Sequence, residues 1–291
     1  MDRQSAPKIS VYIPVFNGAE YLQPCIDGLL TQNYKPDEIL IIDDGSTDAT
    51  AQIARSYGDA IRLIQHPHNM GLSAARNTGL RNARNPLVAC LDVDCVPSTG
   101  WLSVITYALL ADPNIAGVGG NLFETNVDSP ADQYRCQHMN QSWGDMGLKN
   151  PAFLFGANAI YRRDAIAQVG FYNTVFRTNG EDVDMCSRLK NAGFDLIYEP
   201  RAFAYHFRKD NLKSVLNMQW KHWRHPYVNY KPHQNLKDVG SFLKIMLGFV
   251  AKNIKLDLSE KAYLRAGISI LSFFNIPFRE TQLYLREKNQ E

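Results

Sequence analysis

The sequence predicts an α/β protein: a mainly parallel sheet with helices on both faces, continued by a helical C-terminal extension. Three observations carry this. Over the first 120 residues, short apolar runs alternate with longer polar–apolar stretches of helical length. Acidic and glycine-bearing turns sit where the apolar runs end. After His206 the alternation stops, and basic, aromatic and longer apolar segments follow. An alternation of this kind lays parallel strands beneath helices on both faces and gathers ligands at the carboxyl ends of the strands.

The elements follow in order. Strands are expected at Ile9 to Val15, Glu38 to Asp43, Ile61 to Gln65, Leu87 to Asp92 and Ile115 to Gly119, with helices over 19–32, 47–57, 73–84 and 101–111 between them. From 122 to 151 the pattern is irregular, a long connection with one helix over 132–141. An apolar segment at 153–161 comes next, then a helix over 181–192 with Gly193 at its C′ position and a strand over 195–206. The tail interleaves Trp220, Trp223, Tyr227 and Tyr230 with Lys and Arg, then offers apolar segments at 242–251 and 266–278. Both are too short or too interrupted to span a bilayer. They read as helices docked on the body or lying on a membrane surface. The expected division is therefore 1–206 and 207–291, with the first part split into halves 8–120 and 121–206.

Composition excludes several classes. With 291 residues, 45% hydrophobic and 21% charged, the chain can bury a sizeable core, and whole-chain disorder, collagen and coiled coil fall away. No apolar run reaches the roughly 18 residues of a membrane span. The 31 basic and 29 acidic residues give a net charge of +2, so nucleic acid is not an expected partner. The first ten residues lack the apolar region of a secretory leader. Five scattered cysteines form neither a disulfide framework nor a metal pattern, which favours a reducing cytoplasm.

Several turns carry candidate chemistry. Asp43-Asp44-Gly45-Ser46 closes the second strand; taken alone it is an ordinary strand-to-helix turn, with Ser46, Thr47 and Asp48 able to cap. Asp92-Val93-Asp94 ends the fourth strand, and residues two apart in extended chain point the same way. Two carboxylates side by side repel unless a cation lies between them, and a hard divalent ion would leave room for phosphate oxygens. Asn69 to Asn77 follows the third strand, with Gly71 for the turn, Ser73 as a capping residue and Arg76 near a helix start. Glu181-Asp182 opens a helix after Asn179-Gly180. Acids there suit the helix dipole, and a carboxylate at that exposing turn could serve as a general base for an alcohol. Asp184 and Arg188 can pair along that helix. His206 ends the last strand.

Together, Ile13-Pro14-Val15-Phe16-Asn17, Ile42 through Asp48, Asn69-Met70-Gly71 with Arg76-Asn77, Leu91 through Asp94, and Gly180-Glu181-Asp182 occur in an order and spacing that resembles the family-2 glycosyltransferases. Each motif is weak; five in register over roughly residues 8 to 206 are specific. The resemblance implies the Rossmann-like GT-A fold, a nucleotide-sugar donor with UDP as the default, a divalent cation (Mg²⁺ or Mn²⁺) and inversion at the anomeric carbon. Carried over, Pro14 and Val15 line the nucleotide, Asp44 holds the base with Asn69 nearby, and Arg76 helps to seat the nucleotide. Asp92 and Asp94 match the family DxD, Asp94 being the stronger candidate for direct metal contact, and His206 matches a later metal-ligating histidine. Asp182 matches the catalytic base, beside Glu181. Gly156-Ala157-Asn158, Arg162-Arg163 and Val169-Gly170-Phe171 resemble the acceptor side.

Gln219-Trp220-Lys221-His222-Trp223 departs from the Gln-x-x-Arg-Trp of processive synthases, which argues for transfer of a single sugar. The reading is an inverting glycosyltransferase acting on an acceptor hydroxyl in glycan or glycolipid synthesis, with a glycan or lipid-linked acceptor. It is placed in the cytoplasm, with a peripheral contact at the inner face of the membrane. A polyprenyl-phosphate glycosyltransferase is the alternative among enzymes; a non-catalytic sugar- or lipid-binding module is the alternative outside them. A nucleotide-cofactor dehydrogenase is disfavoured, because no Gly-rich phosphate loop follows the first strand.

Overall fold

The computed structural model describes residues 7–228 and 233–288. Tyr230 and Lys231 of the expected aromatic–basic stretch lie outside the described residues, as do the side chains of Trp223 and Tyr227. The chain divides into two compact units. One runs up to Thr125 and includes Gln141–Arg208; the other joins Asn126–Asn140 to the residues from Lys209 onward. The stretch 126–140, expected within the first part, thus belongs with the C-terminal helices.

In the first unit, β1 (Ile9–Val15), β2 (Glu38–Asp43), β3 (Arg62–Gln65) and β4 (Leu87–Leu91) form a parallel half in the order β3-β2-β1-β4. The crossovers are α1 (Ala19–Leu30), α2 (Thr50–Ser56) and α3 (Leu72–Asn82). Then come β5 (Cys95–Pro97), α4 (Trp101–Leu110) and β6 (Ile115–Glu124), the last running past the expected Gly119. The second unit contributes α5 (Pro130–His138). The first resumes with β7 (Leu148–Lys149), β8 (Asn158–Arg162), α6 (Arg163–Gln168), α7 (Glu181–Asn191) and β9 (Asp195–His206).

The sheet is mixed, because β8 inserts antiparallel between β4 and β6. β9 then runs parallel to β6, and β5 folds back antiparallel on the end of β9. Alternation along β1 feeds two cores. Val11, Ile13 and Val15 pack with Leu22, Ile26 and Trp101 of α1 and α4, while Tyr12 packs on the other face with Ala75, Leu80 and Met185. Helices therefore cover both faces, as expected.

At the end of α7, Gly193 takes φ +87°, its N–H donating to the Lys190 carbonyl while the Phe194 N–H reaches Leu189. That double closure is a Schellman stop, and it matches the expectation for Gly193.

The second unit holds α5, α8 (Leu212–Val228), α9 (Leu236–Ser259) and α10 (Tyr263–Lys288). Its interior joins apolar side chains such as Phe242, Met246, Val250 and Ile276 to buried ion pairs: Arg135 with Asp210 at 2.9 Å, and His138 with Asp257 at 2.9 Å. No helix among the described residues is long and apolar enough to cross a membrane.

Candidate functional site

The carboxyl ends of β1 and β2 are knitted together. Val15 accepts the Asp44 N–H through its carbonyl, and Asn17, at φ +51°, accepts the Thr47 N–H through its side chain. Ser46 accepts the Asn17 N–H, and Asp48 accepts those of Ala19 and Thr50. These residues tie two loops together, and Ala49 rather than Ser46 or Thr47 precedes the first turn of α2.

Asp44 is buried, and its carboxylate is already engaged. Oδ1 accepts the Met70 N–H at 2.8 Å and meets His66 Nδ1 at 2.6 Å; Oδ2 accepts the Gly71 N–H at 2.8 Å. Instead of facing outward toward a base, it clamps the 66–71 loop. Gly45 adopts φ +76°, and a Cβ there would lie 2.5 Å from the His68 backbone, so only glycine lets the two loops close. Asn69 is exposed on that loop, its carbonyl accepting from Arg177. Pro14 and Val15 are buried beneath it.

Arg76 is not a surface residue. It is 2% exposed, and its guanidinium donates to the Gly156 carbonyl at 2.6 Å and to Asp92 Oδ1 at 3.1 Å, with Glu181 at 3.7 Å. It therefore acts from beneath the carboxylates rather than as an open anion seat. Gly156 makes this possible, since a Cβ there would sit 2.0 Å from Arg76 Nη1. Ser73 does not cap α3 but donates to the Phe176 carbonyl.

Asp92 and Asp94 are not on extended chain. The Cys95 N–H closes a turn on the Asp92 carbonyl at 3.0 Å, so the two carboxylates have separate partners. Asp92 faces Arg76. Desolvation raises its pKa, with Arg76 opposing and Asp94 adding to the rise. Asp94 Oδ2 lies 3.4 Å from His206 Nε2, while His206 Nδ1 is held by Glu124 at 2.9 Å. Burial alone would lower the His206 pKa, but the flanking carboxylates of Asp94 and Glu124 raise it to about 9. The Asp94 pKa is lowered, the charge and hydrogen bond of His206 overcoming its burial.

Asp94, Cys95 and His206 offer ligand atoms within 4.8 Å of one another, and Asp92 is not among them. Burial pushes the Cys95 thiol pKa well above its usual range. Asp94 and His206 are the carboxylate and imidazole of this group, donors that suit a hard or borderline divalent cation better than a thiol does. Glu124 fixes the imidazole so that Nε2 points at Asp94, in the manner of an outer-shell carboxylate.

Asp182 stands half-buried in the first turn of α7, after Gly180 at φ +88°. Its Oδ2 accepts the Gly156 N–H at 3.2 Å. Gly156 thus links the acids: its N–H holds Asp182, and its carbonyl holds the arginine that grips Asp92. Glu181 is 3% exposed, with Oε2 lacking a partner among the described residues. Burial, then the neighbouring Asp182, pushes its pKa up to about 8. Asp184 pairs with Arg188 at 2.6 Å, as expected.

Arg162 and Arg163 donate to backbone carbonyls of Ile115, Leu109 and Ala83 and brace the fold. Glu124 and His66 were not visible as site residues. Each matters through a partner distant in sequence, and only sheet register brings Glu124 beside His206.

The strand ends of the mixed sheet thus gather an acid–histidine pair, a buried arginine and a carboxylate at a helix start. Residues 10–170 match the family model described as glycosyl transferase family 2. The chain belongs to that family. Over 200 residues it is 32% identical to glycosyltransferase AglE of Haloferax volcanii, a match covering 66% of this chain and 64% of AglE. Over 214 residues it is 30% identical to the pre-mycofactocin glycosyltransferase of Mycobacterium tuberculosis, covering 71% and 44%. The matched region is thus less than two thirds of either relative's length.

Among solved structures, the mannosyltransferase PcManGT from Pyrobaculum calidifontis, in complex with GDP-Man and Mn²⁺, superposes with a TM-score of 0.58 at 18% identity, over 98% of this chain and 80% of that one. GalNAc-T7 with UDP, GalNAc and Mn²⁺ gives 0.58 at 14% identity, over 88% and 58%. The GT-A fold is therefore the fold found.

Proposed function

We propose that the chain is an inverting glycosyltransferase that moves a sugar from a nucleotide-sugar donor to an acceptor hydroxyl. The observation that carries this is the Gly156 bridge, which holds Asp182 and, through Arg76, Asp92 at one sheet edge. Asp182 is the general base: it is accessible, while its neighbour Glu181 is buried. The acceptor hydroxyl gives its proton to the Asp182 carboxylate, and its oxygen attacks the anomeric carbon opposite the leaving diphosphate. Asp94 and His206 would hold a divalent cation, which supplies charge neutralisation to that diphosphate. Pro14, Val15 and Asn69 line the nucleotide, and Asp44 shapes their loop from below. Arg76 orients Asp92 rather than touching donor.

The donor is assigned as UDP-linked, the default of the family; the similar structures carry GDP-Man in one case and UDP in another. Residues 8–120 form the donor half and 121–206 the acceptor half, with 207–291 as the extension, against which 126–140 packs. The acceptor is a glycan or a lipid-linked sugar at the cytoplasmic face of a membrane. Isothermal titration of UDP-sugars and GDP-mannose, with Mn²⁺, with Mg²⁺ and with chelator, tests the donor assignment. Binding of none of them in any condition would overturn it.

A further inference from the structure

The helix α10 is apolar on both its buried and its exposed face. Over Tyr263 to Phe278, residues Leu264, Ile270, Leu271, Phe274 and Phe278 are exposed, Leu264 at 71%, Phe274 at 68% and Phe278 at 63%. The intervals of three, four and seven place them, with Tyr263, on one stripe of the helix, and no charged residue interrupts that stripe. Inward, Ala266, Ile268 and Ile276 are buried beside polar groups: Ser269 and Ser272 are fully buried, Arg265 pairs with Asp257 at 3.3 Å, and Glu280 receives the Trp220 indole N–H at 3.0 Å. A helix that only covered a body would present a polar outer face over this stretch.

The helix α9, packed along α10, carries Lys237, Lys244, Lys252 and Lys255 on its exposed side, beside Ile245, Leu256 and Leu258. None of the four lysines is ion-paired among the described residues. Exposed apolar faces of this extent mark a partner. An unbroken apolar stripe on one helix and exposed lysines on the helix packed against it are together complementary to one partner above others, a sheet of apolar chains under anionic headgroups.

We infer that the α9–α10 pair docks on the surface of an anionic lipid bilayer. The α10 stripe lies in the interface plane, and the α9 lysines meet the headgroups. At 26 residues, α10 is about 39 Å long. Its inner face packs on the rest of its unit and buries Ser269, Ser272 and Glu280, and no helix among the described residues is long and apolar enough to cross a membrane, so α10 lies on the bilayer rather than through it. The surface is distinct from the proposed transfer site, so its failure and the failure of that reading are separable.

The test is cosedimentation of the full chain with vesicles of phosphatidylcholine alone and of phosphatidylcholine with equal phosphatidylglycerol, at low and high salt. The chain should pellet with the anionic vesicles, and less so at high salt. Phe274→Ser with Phe278→Ser should lower the bound fraction at least about tenfold. Lys244→Glu, Lys252→Glu and Lys255→Glu together should remove the preference for anionic vesicles. Leu264→Gln, at a more exposed position, serves if the double variant does not fold. Failure of the wild type to pellet with anionic vesicles at low salt overturns the inference, as does pelleting that the apolar variants leave unchanged. So does a concentration-dependent dimer in sedimentation velocity that those variants abolish, which would assign the face to a second copy.

Discussion

Two acidic turns close neighbouring stretches of the sheet, and they differ in what their carboxylates still have to offer. After β2, Asp43 accepts from Ser46 N–H and Gln65, and Asp44 from two backbone N–H groups beside His66. Both are buried and partnered within the protein. After β4, the Asp92 carboxylate meets Arg76 alone among the described residues, and Asp94 faces an imidazole whose other nitrogen is braced by Glu124. The first turn uses its charge to order loops; the second keeps charge at an edge where a cation and a diphosphate can meet it. Sequence motif is therefore a poor guide to which acid acts, and the state of its hydrogen bonds is a better one.

The contrast can be broken by experiment, and the largest effect belongs to the third acid. Asp182→Asn should lower kcat by about 10²–10⁴-fold while leaving donor affinity within a few-fold of wild type, because a general base acts on the rate. Single-turnover assays and donor titration of the same variant check both halves. Turnover near wild type would move the base elsewhere or favour a lipid-phosphate acceptor.

Asp44→Ala should act mainly on stability. It strands the buried N–H groups of Met70 and Gly71, at a cost of about 2–4 kcal/mol, read as a lower urea midpoint. A variant as stable as wild type but unable to bind donor would return Asp44 to the nucleotide. Glu124→Gln should be milder, weakening metal affinity about 10- to 100-fold, as outer-shell changes do, with the melting curve nearly unmoved. Equal Mn²⁺ affinity in variant and wild type would remove Glu124 from the site.

The parallel half was legible because β1, β2 and β4 are buried runs of Ile, Val and Leu closed by turns, a signal contained in each segment. The insertion of β8 between β4 and β6 was not legible, since an antiparallel strand arriving some 70 residues later leaves no local trace. The same limit hid Glu124, which matters only through its register with His206. The burial of Arg76 was not legible either, because it depends on Gly156, 80 residues away. The turn at Asp92 to Cys95 undid the side-by-side geometry expected of extended chain, although both acids remain at the edge the motif marked. For α10, the apolar spacing was visible in sequence, but which face turned outward was not.

The central claim is that Asp94 and His206, rather than the acids after β2, hold the cation that donor binding requires. Calorimetric titration of nucleotide-sugar into wild type, Asp94→Asn and His206→Ala, each with Mn²⁺ and with chelator, tests it most directly. Expected is Mn²⁺-dependent binding in the wild type that falls at least about tenfold in both variants, while their thermal unfolding without donor stays close to wild type. Wild-type affinity and undiminished Mn²⁺ dependence in both variants would contradict the claim.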